Sequence, residues 1–109
     1  MCHDHNVFIQ AVNERRKIIV TYLNEEDNFV KSGHLVPMDC SCDYVGKEYF
    51  DCYQFWDYQK GFDSFPVVLS SEQILNIKFD EESFDPAEFV TWDLSQLPWC
   101  LKRDWGLFS

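Results

Sequence analysis

A chain of 109 residues with 46% hydrophobic and 17% aromatic side chains carries enough apolar surface for one hydrophobic core, a composition that excludes intrinsic disorder. Its formal net charge of -10, from 19 acidic against 9 basic side chains, repels a phosphate backbone and argues against direct nucleic-acid binding. The 5 cysteines, an odd count with no apolar leader ahead of them, fit a cytoplasmic protein better than a secreted disulfide scaffold, and apolar runs such as 65–69 fall far short of the roughly 18 residues a membrane span needs.

Asp4 or Asn6 can cap a helix over 6–16, whose Phe8, Ile9, Ala11 and Val12 form an apolar stripe and whose Arg15, Arg16 and Lys17 sit near its negative end. Ile18, Ile19, Val20, Thr21 and Tyr22 are β-branched or aromatic, so the period changes and 17–23 reads as the first strand. A polar turn at 24–28 leads into a second strand over 29–38, in which Gly33 marks a bulge. The two form a hairpin, and the edge near 29–35 is open to self-pairing as a homodimer. A loop over 39–46 precedes a third strand over 47–58, with Tyr49, Tyr53 and Phe55 on one face and Phe50, Cys52 and Trp56 on the other. Aromatic residues on both faces require a cover for the second, and the C-terminal tail is the expected one.

Strands over 65–69 and 74–79 follow, with Pro66 confined to an edge or a strand start because it has no N–H to donate. From Glu82 onward the pattern loses period. Asp80, Glu81, Glu82, Asp85, Glu88 and Asp93 succeed one another without a basic residue, so this stretch faces solvent or a basic partner. Trp92, Leu94, Leu97, Trp99, Leu101, Trp105, Leu107 and Phe108 then mark an irregular, docked tail. The fold class is therefore α+β, mainly β. A short N-terminal helix leads into a small antiparallel SH3- or Sm-like β-barrel over 17–79, and the Trp-rich tail over 80–109 completes a single domain.

Four segments resemble the WYL domain of bacterial regulators: "ERRKIIVTY" at 14–22, "LVPMD" at 35–39, "EYFDCY" at 48–53 and "SFPVVLSSEQILNIKF" at 64–79. The resemblance implies a stand-alone, regulatory, ligand-binding barrel. The family's signature triplet falls on Tyr49, Phe50 and Asp51, and its basic ligand-contacting positions fall near Ser64 and Ser71.

Cys2, His3 and His5, or Cys40, Cys42 and Cys52, are metal-ligand types, but C-x-C is tighter than the paired spacing of structural zinc sites, so no metal and no cofactor is expected. No C-x-x-C, glycine-rich phosphate loop or G-x-S-x-G elbow is present, and nothing in sequence brings His34 to a thiol, so the chain reads as non-enzymatic. Tyr49, Tyr53, Phe55, Trp56 and Tyr58 are the candidate residues for holding a small molecule or a protein partner. Glu81, Glu82 and Asp85 are the candidates for the alternative, an acidic mimic that occupies a basic nucleic-acid-binding surface on another protein.

Overall fold

The computed structural model describes residues 3–41, 52–58, 66–96 and 99–109. Tyr49 of the candidate aromatic set, the triplet partners Phe50 and Asp51, and Cys2, Cys42 and Ser64 lie outside the described residues. Helix α1 spans His5–Glu14 and buries Phe8, Ala11 and Val12. It ends two residues earlier than the sequence pattern suggests because Arg15 adopts the left-handed conformation, with φ 55°, and turns the chain straight into a strand. Asp4 occupies the N-cap position, but its carboxylate accepts a hydrogen bond from Ile77 N–H at 2.8 Å instead of capping the helix. That bond ties the start of the helix to the last strand.

The strands are β1 (Arg16–Asn24), β2 (Phe29–Ser41), β3 (Cys52–Trp56), β4 (Pro66–Ser70) and β5 (Ile74–Ser83), in one five-stranded antiparallel sheet of order β4-β3-β2-β1-β5. β4 and β5 lie at opposite edges of that order, yet only the turn at 71–73 separates them. So short a link joins two edges only if the sheet curls on itself, which makes the architecture barrel-like. Gln73 anchors the crossover: its carbonyl accepts from Leu23 N–H at 2.8 Å, and its side chain donates to the Leu23 carbonyl and accepts from Ser70 N–H.

β2 serves both halves of the sheet. Residues 29–35 pair with β1, and residues 36–41 pair with β3 on the other side. The strand therefore runs through Asp39 and Cys40, where the sequence suggests a loop. Gly33 sits opposite Val20 in regular register, and the irregularity falls between Pro37 and Asp39 instead. The missing N–H of Pro37 weakens the ladder there more than a glycine does at residue 33. Likewise β5 extends to Ser83, beyond the expected end at 79, because Arg16 holds the Asp80 carbonyl at 2.9 Å and keeps the strand alongside β1.

The core lies between α1, the inner faces of β1, β2 and β3, and the tail. Phe8, Val12, Ile18, Val20, Val36, Tyr53, Phe55 and Trp105 are among its most buried members. Each such side chain contributes about 1.5–3 kcal/mol when removed from water. Among the described residues the tail is irregular apart from short 3-10 turns at Pro86–Glu88 and Gly106–Phe108. Gly106 has φ 60°, and although a Cβ at that position would meet no atom within 4 Å, the left-handed backbone itself disfavours a side chain. Gly106→Ala is expected to lower the unfolding free energy by about 1 kcal/mol, read from a chemical-denaturation midpoint. Among the described residues no helix is long and apolar enough to cross a membrane.

Candidate functional site

β3 distributes its rings as its alternation dictates. Tyr53 and Phe55 point inward and are buried, meeting Phe8 edge-on at centroid distances of 5.0 and 5.6 Å. The Tyr53 hydroxyl still reaches a polar partner, His5 Nδ1 at 2.7 Å. On the opposite face Trp56 is half-buried and stacks on Phe89 of the tail at 4.9 Å. Tyr58 is half-buried too, with Lys17 Nζ 4.1 Å above its ring. Burial raises the Tyr58 pKa, against the opposing pull of Lys17. The sequence-selected rings thus go to different places: Tyr53 and Phe55 to the core, Trp56 under the tail, and Tyr58 beside the base of β1.

The tail is held by a buried polar node that the sequence patterns did not reveal. The Arg103 side chain is 0% exposed and its Asp39 partner 9%, with Nη2 to Oδ1 at 3.4 Å. Arg103 also donates to the Leu101 and Met38 carbonyls, and its guanidinium lies 3.8 Å from the Trp99 ring and 4.5 Å from the Trp105 ring. Burial pushes the Arg103 pKa down to about 10, and the Asp39 charge opposes that push. The Asp39 carboxylate in turn accepts from the backbone N–H groups of Cys40, Cys100 and Leu101. One carboxylate on β2 thereby satisfies tail backbone that no described strand pairs with. The readable signal was Arg103 itself, the middle of the three charges Lys102, Arg103 and Asp104 set between Trp99 and Trp105.

Trp105 closes the node. It is 2% exposed, donates Nε1–H to the Val12 carbonyl at 2.7 Å, and meets Phe84, Phe89 and Trp99 edge-on. Beside it, Leu94, Trp99, Leu101, Lys102, Arg103 and Ser109 line a shallow groove of about 290 Å³.

The acidic candidates are displayed very differently. Between Ile18↔Phe79 and Arg16↔Ser83 the register shifts, so Asp80, Glu81 and Glu82 share the space opposite Lys17. Asp80 is held by His34 at 3.0 Å, and that hydrogen bond keeps its carboxyl below the usual carboxylate range. Glu82 binds Lys17 at 2.8 Å, and the bond raises the Lys17 pKa. Glu81, Glu82, Asp85 and Glu88 are exposed, and Glu81, Asp85 and Glu88 make no ion pair among the described residues. Asp85 caps the following turn by accepting from Ala87 N–H at 3.1 Å, which fixes its orientation without neutralising it.

Among the described residues no group of three or more His, Cys, Asp or Glu side chains converges as a metal site would. The chain matches no protein-family model, no curated protein and no solved structure.

Proposed function

We propose that this chain is a non-enzymatic binding module whose contact surface is the acidic edge formed by Glu81, Glu82 and Asp85, and that its partner is the basic, nucleic-acid-binding surface of another protein. The observation that carries this reading is the display of Glu81 and Asp85 as exposed, uncompensated carboxylates on a rigid strand end and a capped turn, in a chain of net charge -10. Fixed like charges focus a field that steers a cationic surface toward them, and they offer it no deep pocket for catalysis. Tyr53, Phe55, Trp56 and Tyr58 already spend their faces on Phe8, Phe89 and Lys17, so an aromatic ligand surface has less free area to offer.

A WYL-like, cytoplasmic regulatory role is the family-level form of the same proposal. It is supported by the order in which α1 feeds the "RRKIIV" strand, a Pro37-containing strand follows, and β4 and β5 close the sheet. Ser71, which stands where that family places a basic ligand contact, lies in the 71–73 turn. A recogniser of cations has no use for a basic residue there.

The test is titration against a panel of purified basic nucleic-acid-binding domains, with the chain and with the triple variant Glu81→Gln, Glu82→Gln, Asp85→Asn. At least one domain is expected to bind, to lose roughly tenfold in affinity as salt rises from about 0.05 to about 0.3 M, and to lose a comparable factor in the triple variant. Removing the exposed Lys17–Glu82 pair costs only about 0–1 kcal/mol, so the variant remains folded. Binding that ignores both salt and neutralisation sinks the proposal.

A further inference from the structure

Among the described residues, the first half of β2 is an uncovered edge. Residues 29–34 pair with β1 on one side, and no described strand pairs with them on the other, since the β3 ladder begins only at Val36↔Trp56. Phe29 is 68% and Val30 60% exposed, and Lys31, Ser32 and His34 are exposed as well.

The phase of the ladder determines what this edge presents. Leu23 donates its N–H to Gln73 and accepts from the Gln73 side chain, so both its polar groups face away from β2. In an antiparallel ladder the facing alternates, so Leu23↔Val30, Thr21↔Ser32 and Ile19↔His34 are the non-hydrogen-bonded pairs. Ile77 gives the same phase independently, because its N–H turns to Asp4 and leaves Val20 to bond Gly33. The N–H and C=O groups of Val30, Ser32 and His34 therefore point outward from β2, in the direction from which another strand arrives.

We propose that this edge is the interface for a second copy of the chain, with the two β2 strands antiparallel about a two-fold axis at Ser32. In that register Val30 of each copy bonds His34 of the other, Ser32 bonds Ser32, and every outward group in the window finds a partner. Lys31 falls opposite Gly33 of the second copy, which has no side chain to crowd or repel it. Shifting the axis to residue 31 would set Lys31 against Lys31, so the charge pattern selects the first register. Phe29 comes to lie across from Leu35 of the second copy, at the margin of its core. The window ends where each copy's own β3 begins, so the pairing displaces no described strand.

Charge favours a second copy at this place. The stretch 28–38 carries Lys31 and His34 and no carboxylate, in a chain whose net charge is -10. Two copies meeting here set no carboxylate of one 28–38 stretch against another, and the acidic groups that reach this edge, Asp27 and Asp80, are already paired with Lys31 at 2.8 Å and His34 at 3.0 Å. The β4 edge is the competing site, since Val68 is exposed there, but Pro66 begins that strand and Gln73 already takes the Ser70 N–H.

Sedimentation of the purified chain over a concentration series tests the proposal. A monomer–dimer equilibrium is expected, and it tightens as salt rises from about 0.05 to about 0.5 M because screening relieves the repulsion between two acidic bodies. This is the reverse of the salt response expected for a basic partner. Val30→Lys is expected to raise the dissociation constant at least about tenfold, whereas Val68→Lys leaves it unchanged. Residue-resolved amide exchange gives a readout that needs no variant: Val30, Ser32 and His34 gain protection with concentration, while Lys31 and Gly33, bonded to β1, are protected throughout. A chain that stays monomeric at every concentration, a dimer abolished by Val68→Lys and not by Val30→Lys, or protection without that alternation would overturn the assignment.

Discussion

Asp39→Ala is expected to lower the unfolding free energy by about 3–5 kcal/mol, because removing one member of a buried ion pair strands the other charge in the interior. The carboxylate also accepts from Cys40, Cys100 and Leu101 N–H, so its loss leaves tail backbone donors without an acceptor. Arg103→Leu is expected to cost less, about 1–3 kcal/mol, since Asp39 keeps its N–H donors and leucine refills part of the space between Trp99 and Trp105. Urea denaturation of the two variants measures this order directly. Equal losses, or a greater loss for Arg103→Leu, would mean that the carboxylate is not the centre of the node.

Trp105→Ala is expected to remove about 3–5 kcal/mol as well, a large share of the roughly 5–15 kcal/mol that holds a domain of this size together. The ring fills the space between Phe84, Phe89 and Trp99, and its N–H satisfies the Val12 carbonyl in the last turn of α1. Trp105→Phe separates the two contributions, since it keeps most of the volume and loses only the hydrogen bond. Its expected cost is about 1 kcal/mol. If thermal unfolding shows the alanine variant as stable as the parent, the tail is an accessory and not part of the core.

Together these variants bear on how the acidic edge is supported. Phe84 and Phe89, which flank Asp85, both contact Trp105, and Phe84 N–H bonds the Arg15 carbonyl at 2.8 Å. Packing beneath Glu81, Glu82 and Asp85 is therefore continuous with the tail anchor. Binding measurements on core variants report on the surface only where the fold survives.

Much of the fold was legible because its signals are local. The apolar stripe of α1, the β-branched run at 18–22, the polar turn at 24–28 and the alternation at Tyr53, Phe55 and Trp56 each depend on residues within a few positions of one another. Boundaries moved where distant contacts prevailed. β2 runs past the expected end because β3 lies beside Asp39 and Cys40, and β5 runs past residue 79 because Arg16 holds Asp80. The acidic residues were legible as a charge run, but which of them remain uncompensated depends on His34 and Lys17 arriving from other strands.

What the amino-acid order determined by itself is the list of elements, their inward faces and the excess of negative charge, since periodicity and composition act within a strand or a turn. Tertiary structure alone decided that Asp39 and Arg103 would meet across 64 positions of chain, that Phe89 would be the tail residue to take up Trp56, and that one half of β2 would pair with β1 and with no other described strand. Those outcomes follow from how the sheet curls and where the tail crosses it. No short window of residues encodes either.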